Sequence, residues 1–147
     1  RYAFGTGFSA KNQTTILNYT SALSRFGLAH LTQQTNISSP FISVYDSLAH
    51  AERVARFFSE KYGEDTYVVT VDTRHFARGP VFRAADLLRD GEGEGKEKEK
   101  GEERAQWLHW GEYLVMYRIP AQAIRDQTPV AQGENQKWRA VGVIGGA

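Results

Sequence analysis

Apolar side chains recur along this chain with two different periods, and the switch between them outlines the elements. Ile16, Tyr19, Leu23 and Phe26 fall three and four apart, which predicts an amphipathic helix, and Gly27 is placed to terminate it. Phe41 to Tyr45 reads as a short strand. Asp46 or Ser47 can cap the next helix, whose apolar stripe runs Leu48, Ala51, Val54, Ala55, Phe58 and Tyr62 and stops at Gly63. Tyr67 to Val71 is apolar on both alternating faces, as an interior strand would be. Pro80-Val81-Phe82 is extended, and Ala84 to Arg89 predicts a short helix ended by Gly91. From Glu112 a run of strand formers continues through Tyr113, Leu114, Val115, Met116 and Tyr117. It stops at Pro120, which cannot donate to a ladder. Both faces of this run are apolar, so it too is expected in a sheet interior. A helical turn follows over Ala121 to Arg125, and Trp138 to Ile144 is the last strand. Strands that outlast short helices, with several extended segments in the second half, predict an α+β fold rather than a doubly wound sheet.

The 147 residues suffice for one domain with a real core and are too few for two ordinary ones. Hydrophobic residues at 41% and aromatics at 12% place the chain among folded proteins. A net charge of +1 gives no reason to expect nucleic acid or an anionic membrane as partner. Arg74, His75 and Arg78 near Phe76 form a basic cluster too small to change that. The absence of cysteine excludes disulfides, thiol catalysis and Cys-based zinc sites, and fits a reducing interior. No apolar run approaches the ~20 residues that span a bilayer, and no signal-peptide pattern is present. A first residue of Arg1 rather than Met suggests a trimmed fragment. One low-complexity segment, Gly91 to Arg104, holds six Glu, three Lys and one Arg. Its net charge is −2, which leaves +3 on the remainder. Glycine and alternating charge bury no apolar area, so an exposed loop dispensable for folding is expected.

No Walker loop or G-x-S-x-G elbow is present. Gly5-Thr6-Gly7 starts a G-x-G without its third glycine and reads as a turn. The four histidines, His30, His50, His75 and His109, are scattered, so no metal is expected. His109 and Glu112 are three apart, but on a strand that spacing does not bring them together. Glu112 itself stands at the mouth of an interior strand, partly desolvated and rigidly held, where a catalytic carboxylate belongs. An unpaired carboxylate there would strain the fold, so its removal is expected to leave stability unchanged or raise it.

Three pieces in order resemble the Arg–Ser–Glu, cholera-toxin-like branch of the ADP-ribosyltransferases, and are similar to uncharacterised fungal domains thought to share that fold. The first is Arg1, followed by Gly7-Phe8. The second is Ser39-Pro40-Phe41-Ile42-Ser43-Val44-Tyr45 leading into an Ala-rich helix, similar to the family's Ser-Thr-Ser strand with Ser43 at its first serine. Val44 and Tyr45 depart from that pattern. The third is Glu112 in GEYLVMYRIP with Ala121-Gln122-Ala123-Ile124 after it, similar to the catalytic-Glu strand.

The resemblance implies a split two-sheet β-sandwich with short flanking helices and an NAD cleft. NAD would be the substrate, with ADP-ribose passed to an unidentified acceptor or to water. Cleaving the nicotinamide–ribose bond builds positive charge on the ribose, as glycoside cleavage does, and Glu112 would stabilise it. Ser43 would hydrogen-bond Glu112 and orient it, with no histidine expected beside it to make it a nucleophile. Arg1 would bind the NAD phosphates through paired donors. Phe41, Tyr45 or Trp110 would pack on the nicotinamide. Arginine-modifying members carry a second Glu two positions before the catalytic one. Trp110 occupies that position, which disfavours arginine as acceptor. A catalytically inactive interaction module of the same fold is the alternative, and a small-molecule binding domain unrelated to NAD a third.

Overall fold

Alternation of side chains across the strands of the computed structural model sorts the molecule into layers. The structure describes residues 2–3, 5–13, 20–32, 39–76, 81–92, 106–133 and 138–144. Arg1, Ile16, Tyr19, Arg78, Pro80 and residues 93–104 of the charged segment lie outside them. The fold is α+β with two sheets. The small sheet joins β1 (Tyr2–Ala3), β2 (Gly7–Ser9) and β7 (Arg118–Ile119), all antiparallel. The large sheet runs β5 (Val81–Arg83), β6 (Glu112–Met116), β3 (Phe41–Tyr45), β9 (Trp138–Val143), β4 (Asp65–Val71), β8 (Ile124–Ala131). β9 is parallel to both of its neighbours, and every other pairing is antiparallel.

One face of the large sheet packs on the small sheet. Ile42, Val44, Val69, Val71 and Val115 form a single core with Phe8 and Ile119. The other face carries the helices. α2 (Leu48–Tyr62) buries Ala51, Val54 and Ala55 against Tyr45, Val68, Val141 and Val143. α1 (Thr20–Leu31) and α3 (Ala84–Glu92) share a separate cluster, in which Leu31, Ala84 and Leu87 meet Phe41 and Leu114. Ser47 caps α2 by accepting from His50 N–H, and Gly63, left-handed at φ 66, ends it. Leu48, placed on the apolar stripe from sequence, is 54% exposed at the first position of α2.

Several expected boundaries move, each for a physical reason. α1 does not stop at Gly27 but continues to Leu31. Gly27 is a point of close approach: a Cβ there would lie 2.8 Å from Leu87 Cδ1 of α3. α3 likewise passes Gly91 and ends at Glu92. The strand expected from Glu112 to Pro120 breaks at Tyr117, the one non-glycine with positive φ (66) among the described residues. The kink takes the chain out of the large sheet, and Arg118–Ile119 then pairs with β2 in the small one. The helical turn after Pro120 is a short 3-10 turn, Ala121–Ala123, and β8 begins at once with Ile124. β8 is polar on both faces and contains Pro129, which is tolerated on an edge strand beside a bulge in its pairing to β4.

Candidate active site

Strand register brings the candidate side chains onto one face. Phe41, Ser43 and Tyr45 of β3 lie opposite Met116, Leu114 and Glu112 of β6, on the side covered by the helices. Glu112 is therefore level with Tyr45 and one row from Ser43. Gly111 delivers it there in a left-handed conformation (φ 65), with its carbonyl accepting from Asp46 N–H at 3.0 Å. A Cβ at Gly111 would meet only the end of the exposed Asp46 side chain, so it is the left-handed dihedral that calls for glycine.

Glu112 is only 4% exposed. Ser43 Oγ donates to its Oε2 at 2.5 Å, and His109 Nδ1 lies 2.7 Å from its Oε1. The Tyr45 phenol is close enough to feel its charge. The carboxylate is thus a compensated buried acid rather than the unpaired one expected from sequence, and removing it should cost stability. Burial and then the charge of Glu112 hold the Tyr45 phenol well above 10, with Arg139 pulling weakly the other way.

Ser43 has a histidine beside it, contrary to the sequence expectation. His30 Nε2 is 2.6 Å from Ser43 Oγ, and its Nδ1 is 2.7 Å from Ser39 Oγ. Burial lowers the His30 pKa below 6.5, against the raising charge of Glu112 and alongside a lowering contribution from His109. A neutral imidazole donates from one nitrogen only. With the Ser43 hydroxyl committed to the carboxylate, Ser43 must accept from His30, so the proton is assigned to Nε2. His30 Nδ1 then accepts from Ser39, whose oxygen accepts in turn from Phe41 N–H at 3.0 Å. Every donor in this chain points toward Glu112.

A cavity of about 370 Å³ opens over these groups, with Ser43, Glu112, His30, His109, Lys11 and Arg139 on its walls. Phe41 and Tyr45 also line it, both nearly fully buried. Trp110 is not on its walls: the indole is 60% exposed and rests 6.0 Å from the His50 ring. Arg1 lies outside the described residues. Arg74 of the small basic cluster is tied to Asp72, which also binds Arg125 and whose carboxyl is held well below the usual carboxylate range by these partners. Among the described residues no three His, Asp or Glu side chains converge on a metal-sized site, and no helix is long and apolar enough to cross a membrane.

Sequence reasoning missed His30, His109, Lys11 and Arg139. His30 continues the Leu23–Phe26 spacing by four, a signal hidden when Gly27 is taken as the helix end. His109 closes a 3-10 turn, Gln106–His109, rather than opening a strand, so its spacing of three from Glu112 does bring the two together.

Residues 3–133 match the family model described as a domain of unknown function, DUF7587, and the chain belongs to that family. No curated protein matches the sequence.

Proposed function

We propose that this domain cleaves NAD between nicotinamide and ribose and passes the ADP-ribose to an acceptor or to water, using an ADP-ribosyltransferase-like arrangement of its two sheets. The observation that carries the reading is the pair formed by Ser43 and Glu112, a hydroxyl donating at 2.5 Å to a carboxylate on a cavity wall. The C1′–N bond breaks with its electron pair going to the nicotinamide nitrogen, which leaves neutral. Glu112 faces the positive charge left on the ribose and accepts from its 2′-hydroxyl. Attack on C1′ by water or by an acceptor, with loss of its proton, completes the exchange. Ser43 and His30 act through Glu112: they fix its rotamer and hold donors on one oxygen, so the other lone pairs keep a set direction.

A second reading, a catalytically inactive interaction module, draws on the saturation of Glu112. Both of its oxygens already accept from the protein, and it is almost fully buried. Release of nicotinamide from NAD separates the two. Wild type should release it, and Glu112→Gln should do so on the order of a hundred- to a thousandfold more slowly. Ser43→Ala should lose about ten- to a hundredfold. Glu112→Gln also places an amide N–H against the partners Ser43 and His109, so its melting curve should drop by about 1–3 kcal/mol of stability. Equal release by wild type and Glu112→Gln removes Glu112 from the chemistry. No release by wild type, with water and acceptors supplied, favours the inactive module.

A further inference from the structure

Lys11 and Arg139 are two cations that line the same cavity as Glu112. β9 runs parallel to β3 with Val143 beside Tyr45, the residue level with Glu112. Arg139 is four residues back along β9 on the same face, ~13 Å away at ~3.3 Å per residue. Lys11 follows β2, and its segment is fastened where β3 begins: Asn12 N–H donates to Ser39 O at 3.0 Å and Ala10 N–H to Tyr117 O at 2.8 Å. The backbones that carry the two cations therefore both approach the Phe41 end of β3.

Arg139 is ion-paired with Glu64 through Nε only, and two aromatic rings hold its guanidinium. Its guanidinium carbon lies 4.9 Å from the Phe58 ring centroid and 4.7 Å from that of Tyr62. Its Nε donates to Glu64 at 3.0 Å, and the two terminal nitrogens have no hydrogen-bond partner among the described residues. Lys11 is exposed and pairs with no carboxylate among those residues. A guanidinium fork uses up both oxygens of a carboxylate, whereas a separate ammonium beside it suits an anion with a third oxygen.

We propose that Lys11 and Arg139 form the binding site for a phosphate or pyrophosphate group of an elongated ligand whose other end reaches Glu112. The acidic end repels a second anion, so the group placed there is neutral or cationic. This deepens the NAD reading, on which it rests for the ligand's identity, because pyrophosphate is the anionic part of NAD.

Inorganic pyrophosphate is the probe, titrated calorimetrically at low salt into wild type, Lys11→Gln, Arg139→Gln and Arg139→Lys, with KM and kcat for NAD measured in parallel. Saturable binding to wild type is expected, weakened ~10-fold or more by Lys11→Gln and by Arg139→Gln and less by Arg139→Lys, which keeps charge but loses the fork. Where NAD is cleaved, the same variants raise KM with kcat nearly unchanged. If Arg139→Gln loses its rings' support and fails to fold, Lys11→Gln and Arg139→Lys still decide the matter. Absent binding to wild type, or equal binding to the variants, overturns the site. Pyrophosphate binding without NAD cleavage by wild type sinks the NAD reading and keeps the site. NAD cleavage with KM unmoved in Lys11→Gln and both Arg139 variants does the reverse.

Discussion

Glu112 can be buried because the backbone aims polar partners at it from two elements: Ser43 from β3 and His109 from the 3-10 turn. Each bond to a carboxylate is stronger than a neutral one, which offsets the cost of burying the group. His30 extends the same network, and its burial favours the neutral ring. Its lowered pKa therefore links to stability. Between 6.5 and the folded-state value the unfolded chain binds a proton that the folded protein refuses, so stability falls as pH drops through that window. The slope is at most about 1.4 kcal/mol per pH unit from this group. Tyr45 acts at the other extreme: its raised pKa gives stability that is full below pH 10 and lost as pH rises beyond it. Urea melts of wild type and His30→Gln at pH 5 to 8 test the acid side. The variant should be less stable at neutral pH and less sensitive to acid. An unchanged acid slope in the variant would show that His30 is not the linked group.

At the scale of elements, the periods of apolar residues were enough to locate β3, α2, β4 and β6, whose side chains are sorted by burial. What escaped was set by contacts between elements distant in sequence. Gly27 looks like a helix stop until Leu87 of α3 is seen against it. The run after Glu112 looks continuous until Tyr117 turns it toward β2, and β8 has no apolar period because an edge strand exposes both faces. The same distinction applies to the site. Glu112 stood out by its place at a strand mouth and Ser43 only by the resemblance of its strand, whereas His30 and Arg139 come from elements whose approach no local pattern encodes. Gly111 is where an element boundary controls that site. Gly111→Ala forces a Cβ into a left-handed turn, which should cost about 1–2 kcal/mol. Because Glu112 is the next residue, nicotinamide release should fall as well. Wild-type stability for Gly111→Ala in a thermal melt would mean that the turn relaxes freely and does not fix the carboxylate.

Across the whole molecule, the core is divided into three clusters, one between the sheets and two beneath the helices, and the cavity opens between the helical pair. The charged segment contributes to none of the three by composition. Its flanks are anchored independently: Ala84 and Leu87 of α3 are buried on one side, and Leu108 on the other, at 0%, 4% and 4% exposure. Replacing residues 94–103 by a short Gly/Ser link that still spans Glu92 to Gln106 changes only the closure entropy of the loop. That entropy varies with the logarithm of length, so the change is under about 1 kcal/mol. For a chain of this size that moves the melting temperature by a few degrees at most. Nicotinamide release should be untouched, since Glu112, Ser43 and His30 all lie on elements outside the replaced stretch. A drop of roughly 10 °C or more, or an insoluble product, would mean that the segment packs on the fold and that its glycines and paired charges serve a surface rather than a tether.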